Sequence, residues 1–271
     1  MKIAIAISSS LLGLALLLAA LWVLWLIRPR RHRQIDPDLL RDYAHRGLHG
    51  AEIPENSLAA FEAACKEGYG IELDVQLSRD GQVMVFHDDT LERVTGTQGK
   101  LCDLDAKELQ RLRLNGSDQT IPTFREVLAL VNGRVPLLVE LKGETMDTSL
   151  CAKVAELLAA YPGKYCIESF NPLLVRGMKK LLPQAVCGLL YTNVCRDKKK
   201  KSLLNIALTL MALNVLARPH FIAFFKKDRT SLPVKITTGL YRAPKFVWTP
   251  KGEKEIQTAH ENGECAIFER E

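Results

Sequence analysis

Eight short, apolar, β-favouring segments run through residues 43–269, and a helical pattern separates most of them. The segments are 43–47, 70–77, 136–142, 165–170, 185–191, 221–225, 245–249 and 265–269. The helical stretches are 56–67, 123–131, 149–160, 172–181, 203–217 and 251–262. Helix start signals accompany three of them: Asn56 or Ser57, Thr123, and the pair Asn171-Pro172. A strand that returns to its own sheet through a helix runs parallel to its predecessor. Eight such units in residues 42–271 predict an α/β chain folded as a TIM (β/α)8 barrel. An open doubly wound sheet shows similar alternation and is the competing architecture.

One segment departs from the rule. IELDVQLS, RDG and QVMVFHDD place two extended runs either side of Asp80-Gly81, too close for a crossover helix. A two-residue Asp-Gly turn would pair Arg79 with Gln82, setting Asp74 opposite His87 and Glu72 opposite Asp89. The stretch after it, about 89–122, lacks a long apolar period and reads as a small insertion after the second strand, with a short helix near 105–112.

Residues 3–27 carry no charge, and 25 residues at about 1.5 Å each exceed a roughly 30 Å hydrocarbon core. Trp22 and Trp25 sit near their C-terminal end, and Arg28, Arg30, Arg31 and Arg33 follow. The expectation is a retained single-pass transmembrane helix at 3–27, a basic linker at 28–41, and a barrel on the cytoplasmic side. The seven scattered cysteines, without a CxxC pair, suit that compartment. Charge then loses its meaning as a nucleic-acid signal. The chain has 37 basic and 31 acidic residues, but residues 1–33 hold five of the bases and no acid, which leaves 32 against 31.

The chemistry-bearing residues gather near strand ends. His45-Arg46-Gly47 closes the first segment, Glu72-x-Asp74 lies within the second, and His87-Asp88 ends the hairpin arm. Glu140-x-Lys142 and Glu168-Ser169-Phe170 end later strands. Carboxylates inside apolar strands are costly unless paired, protonated or metal-bound. Glu72, Asp74 and Glu140 are hard oxygen donors suited to Mg²⁺ or Ca²⁺. Arg46 offers a planar fork to a phosphate and Lys142 a compact charge. His45 and His87 titrate nearest neutrality, which suits proton transfer. Glu168 reads more weakly, as an ion-pair partner, while His49, His220 and His260 read as loop or surface histidines.

The ordered set AHRG, PENS, IELDVQLSRDGQVMVFHDDTLERVTG, IPTFREVL, LLVELK, ESFNP and VWT, over about residues 43–250, resembles the glycerophosphodiester phosphodiesterase family. The resemblance implies a TIM barrel that hydrolyses a glycerophosphodiester to glycerol 3-phosphate and an alcohol. It implies His45 and His87 as the acid/base pair, Glu72, Asp74 and Glu140 as ligands of Mg²⁺ or Ca²⁺, and Arg46 and Lys142 at the phosphate. Phe170 and Trp248 would be apolar walls beside the glycerol or leaving group. The ending CAIFERE departs from the family's usual glycine- and aspartate-containing end, and no helix follows it. A lysophospholipase D on the same site and a non-catalytic membrane-bound module are the alternatives.

Residues 198–201 are four lysines, followed by the apolar stretch 203–217. As a second membrane span that stretch would remove a helix and a strand from the barrel. The preferred reading is a barrel helix at 203–217 and a strand at 221–225, with residues 198–217 able to touch an anionic leaflet. The expected partners are a glycerophosphodiester or lysophospholipid substrate, membrane lipid through 3–27 and 198–217, and no nucleic acid.

Overall fold

The computed structural model describes residues 2–30, 35–143 and 147–270, with side chains from residue 11 onward. Arg31 and Arg33 of the expected basic linker lie outside the described residues. Among the described residues nine strands form one sheet: β1 (Tyr43–Ala44), β2 (Gly70–Leu77), β3 (Val83–Val85), β4 (Leu137–Leu141), β5 (Tyr165–Ser169), β6 (Val186–Tyr191), β7 (Phe221–Phe225), β8 (Lys245–Lys251) and β9 (Cys265–Glu269). Their order is β1-β9-β8-β7-β6-β5-β4-β2-β3, and β1 also pairs with β2. Without the antiparallel β3, eight parallel strands close on themselves. This is the TIM-type barrel the alternation predicts.

The interior explains the spacing of apolar residues. Tyr43, Leu138, Cys166, Leu190, Phe221, Phe246 and Ile267, one from each of seven strands, pack together inside the barrel. Gly188 faces them from β6, where a Cβ would lie 2.1 Å from the Phe221 ring. Only glycine leaves that ring its room. Outside the strands, the helices Leu58–Glu67, Phe124–Val131, Ser149–Ala159 and Pro172–Leu181 bury their apolar sides against the sheet. Ser57 Oγ accepts from Ala60 N at 3.1 Å, and Thr123 and Glu126 form a capping box. These are the starts the sequence marks. β3 and the segment after it share a small core of their own, including Met84, Leu91, Leu101 and Leu109.

The hairpin register differs by one residue from the Asp-Gly expectation. Val75 pairs with Val85 and Leu77 with Val83, and Ser78 N donates to Gln82 O at 3.0 Å. The loop is therefore Arg79-Asp80-Gly81, with Gly81 at φ +75°, a three-residue turn rather than a two-residue one. Asp74 faces Phe86, whose N–H it accepts at 3.0 Å. His87 reaches the site by another route. The Gln76 side chain donates to the carbonyls of Phe86, His87 and Asp88, and so curls the chain after β3.

The N-terminal segment requires a larger correction. Residues from Leu11 to Ile27 are helical, but among the described residues no helix is long and apolar enough to cross a membrane. This overturns the expected transmembrane helix at 3–27 and, with it, the single-pass membrane location and the cytoplasmic orientation built on it. The physical reason is visible at the helix end. Ile27 is buried, and the carbonyls of Leu24, Trp25 and Ile27 accept from Tyr241, Arg218 and Asn214. The last turn thus belongs to the packing of the domain. The predicted helix 203–217 is also broken. It forms Leu203–Thr209 and Asn214–Ala217, separated by a turn with Met211 at φ +53°. Asn214 is spent on capping Ile27.

Candidate active site

The acids and bases converge at the C-terminal ends of β1, β2, β4, β5 and β9. Glu72 and Asp74 are two residues apart on β2, so both side chains point to one face. Parallel pairing sets Asp74 beside Glu140 and Glu140 beside Glu168, a row of carboxyls across three strands. All four are buried. Oxygens of Glu72, Asp74 and Glu140 lie within 4.8 Å of one another, a candidate acidic metal site.

Bringing these groups together out of water has predictable consequences. Burial pushes the Glu72 carboxyl well above its ordinary range, and Asp74 and Glu140 add to the effect. Burial raises Glu140 to about 7, against the pull of Lys142. Glu168 is raised by burial first and by Glu140 second. Asp74 resists burial because Lys142, His87 and Arg46 hold it below the usual carboxylate range. Lys142 Nζ lies 2.9 Å from Asp74 Oδ1 and 2.7 Å from Glu140 Oε1. Even so, Glu168 Oε2 and Arg46 Nε are buried without a hydrogen bond. Buried acids that resist ionisation beside an unsatisfied oxygen are what a bound divalent cation would relieve. The hard-oxygen donor set fits Mg²⁺ or Ca²⁺.

The His45-Arg46-Gly47 turn is locked onto β2. Arg46 takes φ +54° and Gly47 φ +79°, so that Arg46 N donates to Glu72 Oε2 at 2.8 Å and Gly47 N to Glu72 O at 3.2 Å. The Arg46 guanidinium donates to Glu55 at 2.7 Å and lies 3.6 Å from Asp74. Asn56, at φ +52°, donates from Nδ2 to Asp74 Oδ2 at 2.8 Å. PENS is therefore the clamp that fixes both Arg46 and Asp74.

Each histidine of the expected acid/base pair has a carboxylate at Nδ1. His45 Nδ1 is 2.8 Å from Glu269 Oε1, and His87 Nδ1 is 2.6 Å from Asp88 Oδ1. His45 Nε2 stands 4.0 Å from Glu72. Burial lowers both imidazoles, against the pull of Glu269 on His45 and of Asp74 on His87. Asp88 is in turn held by Arg93 at 2.5 Å, and Arg93 grips Glu55 with both nitrogens at 2.7 and 2.8 Å. His87 and Arg46 are thus joined through Asp88, Arg93 and Glu55.

Phe170 and Trp248 meet edge to face at 5.6 Å, and Phe225 adds a third ring 4.9 Å from Trp248. Trp248 Nε1 donates to Ala223 O at 3.1 Å, which fixes the indole. All nine residues named from the sequence lie around this end of the barrel. Reading the sequence missed roles for Glu55, Asp88, Arg93, Phe225 and Glu269. Glu55 and Asp88 stood inside the motifs, whereas nothing local marks Glu269. His49 also belongs here rather than to a distant loop, since its ring lies within 4.8 Å of ligand atoms of His45 and Glu269. His220 and His260 lie elsewhere, bonded to Cys187 N and Asp42 respectively.

Residues 45–268 match the model described as the glycerophosphoryl diester phosphodiesterase family. A glycerophosphodiester phosphodiesterase of Caldanaerobacter subterraneus is 35% identical over 55% of this chain and 65% of its own length. One of Bacillus altitudinis is 41% identical over 56% of this chain and 66% of its own. The matched stretches thus span just under two thirds of those relatives. Among solved structures, an Oleispira antarctica phosphodiesterase in complex with the product sn-glycerol 3-phosphate superposes with a TM-score of 0.68 at 24% identity, covering 85% of this chain and 93% of that one.

Proposed function

The chain belongs to the glycerophosphoryl diester phosphodiesterase family, and we propose that it hydrolyses glycerophosphodiesters to glycerol 3-phosphate and an alcohol. The observation that carries this reading is the buried carboxylate cluster of Glu72, Asp74 and Glu140, flanked by two cations and by two histidines with carboxylates at Nδ1. Glu72, Asp74 and Glu140 would hold Mg²⁺ or Ca²⁺. When bound, that cation would offset the charge growing on the phosphoryl oxygens. Arg46 and Lys142 orient the phosphate, and their positive charge is fixed by Glu55, Asp74 and Glu140 before substrate arrives. One histidine takes the proton from the attacking oxygen, and the other gives a proton to the leaving alcohol as the phosphorus–oxygen bond breaks. Phe170 and Trp248 exclude water on the glycerol or leaving-group side. The product of the Oleispira relative, glycerol 3-phosphate, is what this reaction would release. The test is release of glycerol 3-phosphate from glycerophosphocholine by the full chain, with and without chelator, and by His45→Ala.

A second reading, lysophospholipase D acting on lysophospholipids, draws on the rim next to this site. Residues 194–201, which follow β6, hold five Lys or Arg and one Asp, and residues 226–229, which follow β7, hold three and one. Lys198–Lys201 lie on the loop after β6, on the mouth side, and Leu203 beside them is 89% exposed. Basic charge next to a bare leucine suits an anionic amphiphile with an acyl chain. A panel of glycerophosphocholine and lysophosphatidylglycerol separates the two readings.

A further inference from the structure

We propose that Glu269 is a positioning residue, which holds the Nδ1 proton of His45 and thereby leaves Nε2 as the working nitrogen that faces the carboxylate cluster. The inference rests on the acid/base role proposed for His45 and adds a residue that no motif marks.

The pairing comes from barrel closure. β9 is hydrogen-bonded between β8 and β1, with Ala44 opposite Phe268, and His45 N donates to Phe268 O at 2.9 Å. His45 and Glu269, 224 residues apart, therefore follow one another along the seam where the last strand meets the first. Their contact is 2.8 Å. An ionised carboxylate can only accept, so the shared proton belongs to the imidazole. Glu269 is ionised: the hydrogen bond from His45 holds it far below the usual carboxylate range, burial opposes this, and Lys251 adds to it. Lys251 Nζ sits 2.6 Å from Oε2, so each carboxylate oxygen has its own donor and the group cannot rotate away.

The chemistry follows from this geometry. A neutral imidazole has one N–H and one lone pair, and fixing the N–H at Nδ1 dedicates Nε2 to accepting a proton. Nε2 points to Glu72, 4.0 Å away, where the phosphate and its reacting oxygens would meet the cluster. Glu269 also stabilises the imidazolium that forms once Nε2 has taken a proton.

The test uses the full chain, metal-free for spectroscopy and with Mg²⁺ or Ca²⁺ for kinetics, as wild type, Glu269→Gln and Glu269→Leu. Imidazole ¹⁵N spectra, with His45 assigned by difference from His45→Gln, should show the Nδ1-protonated tautomer in wild type and its loss in Glu269→Leu. In glycerophosphocholine hydrolysis, kcat should fall about tenfold in Glu269→Gln, whose amide oxygen still accepts, and about a hundredfold in Glu269→Leu, with KM within threefold. An unchanged tautomer in Glu269→Leu overturns the proposal. So does a changed tautomer with unchanged kcat, or a loss confined to KM. Wild type that carries the Nδ1 proton yet hydrolyses no diester would instead refute the proposed function while leaving the pairing intact.

Discussion

Lys142 Nζ bridges two neighbours in the sheet, 2.7 Å from Glu140 and 2.9 Å from Asp74. The register of β2 and β4 sets these carboxylates side by side, and one ammonium between them keeps the pair from repelling. It cannot serve all the acids present, because Glu72 and Glu168 share the same buried space. This excess of buried carboxyls over cations is the strongest physical argument for a divalent cation at this place.

That excess predicts a pH-dependent response to metal. Glu72, Glu140 and Glu168 have folded values above their unfolded ones, so their stabilising contribution is complete below about pH 4.3 and is lost as pH rises through the folded values, near 7 for Glu140. His45 and His87 are lowered and act oppositely, but only below about pH 6.5. Between pH 6.5 and 8 the metal-free protein should therefore lose thermal stability. Added Mg²⁺ or Ca²⁺ should raise Tm more at pH 8 than at pH 6.5, because binding then displaces fewer protons. Differential scanning fluorimetry checks both trends.

His45→Ala and His87→Ala should each lower kcat by about 10²–10⁴ and leave the cation-induced Tm shift nearly intact. Neither imidazole is among the three carboxylate ligands proposed for the metal. Steady-state hydrolysis of glycerophosphocholine, paired with the same thermal titration, reads the two effects separately.

Glu55 is the brace between Arg46 and Arg93. Glu55→Gln removes the charge that fixes Arg46, and kcat/KM should fall about tenfold, mostly through KM if Arg46 orients the phosphate already in the bound substrate. Arg79→Ala breaks exposed ion pairs to Asp105 and Glu108 in the insertion and should leave both constants unchanged.

Gly47 combines φ +79° with a site where a Cβ would meet the Ala60 Cβ at 2.8 Å and its carbonyl carbon at 2.9 Å. Left-handed strain and the clash together predict a loss of roughly 2–4 kcal/mol for Gly47→Ala. Tm should drop by roughly 5–15 °C in a chain of this size.

Most of the barrel is legible because its signals are local. β2, β7 and β9 occupy the segments whose apolar, branched composition marks them, and Ser57, Thr123 and Asn171 cap the helices they precede. The hairpin register was not legible, since Asp80-Gly81 serves a two- or a three-residue turn equally well. Nor was the break at Met211, which depends on Asn214 reaching Ile27 in a distant segment. Glu269 shows the same limit at the site. Its partner is set by barrel closure, and CAIFERE taken alone reads only as an ending unlike its family's. The apolar run before Arg28 illustrates the reverse error: composition indicated a span, while packing of its last turn by Asn214, Arg218 and Tyr241 belongs to the domain.

The most direct test of the account is glycerol 3-phosphate release from glycerophosphocholine by the metal-stripped full chain, before and after adding back Mg²⁺ or Ca²⁺, with Glu72→Gln in parallel. Turnover should be negligible in EDTA, recover on adding back cation, and recover little in Glu72→Gln. Full turnover in EDTA, or a Glu72→Gln variant as active as wild type, would contradict it.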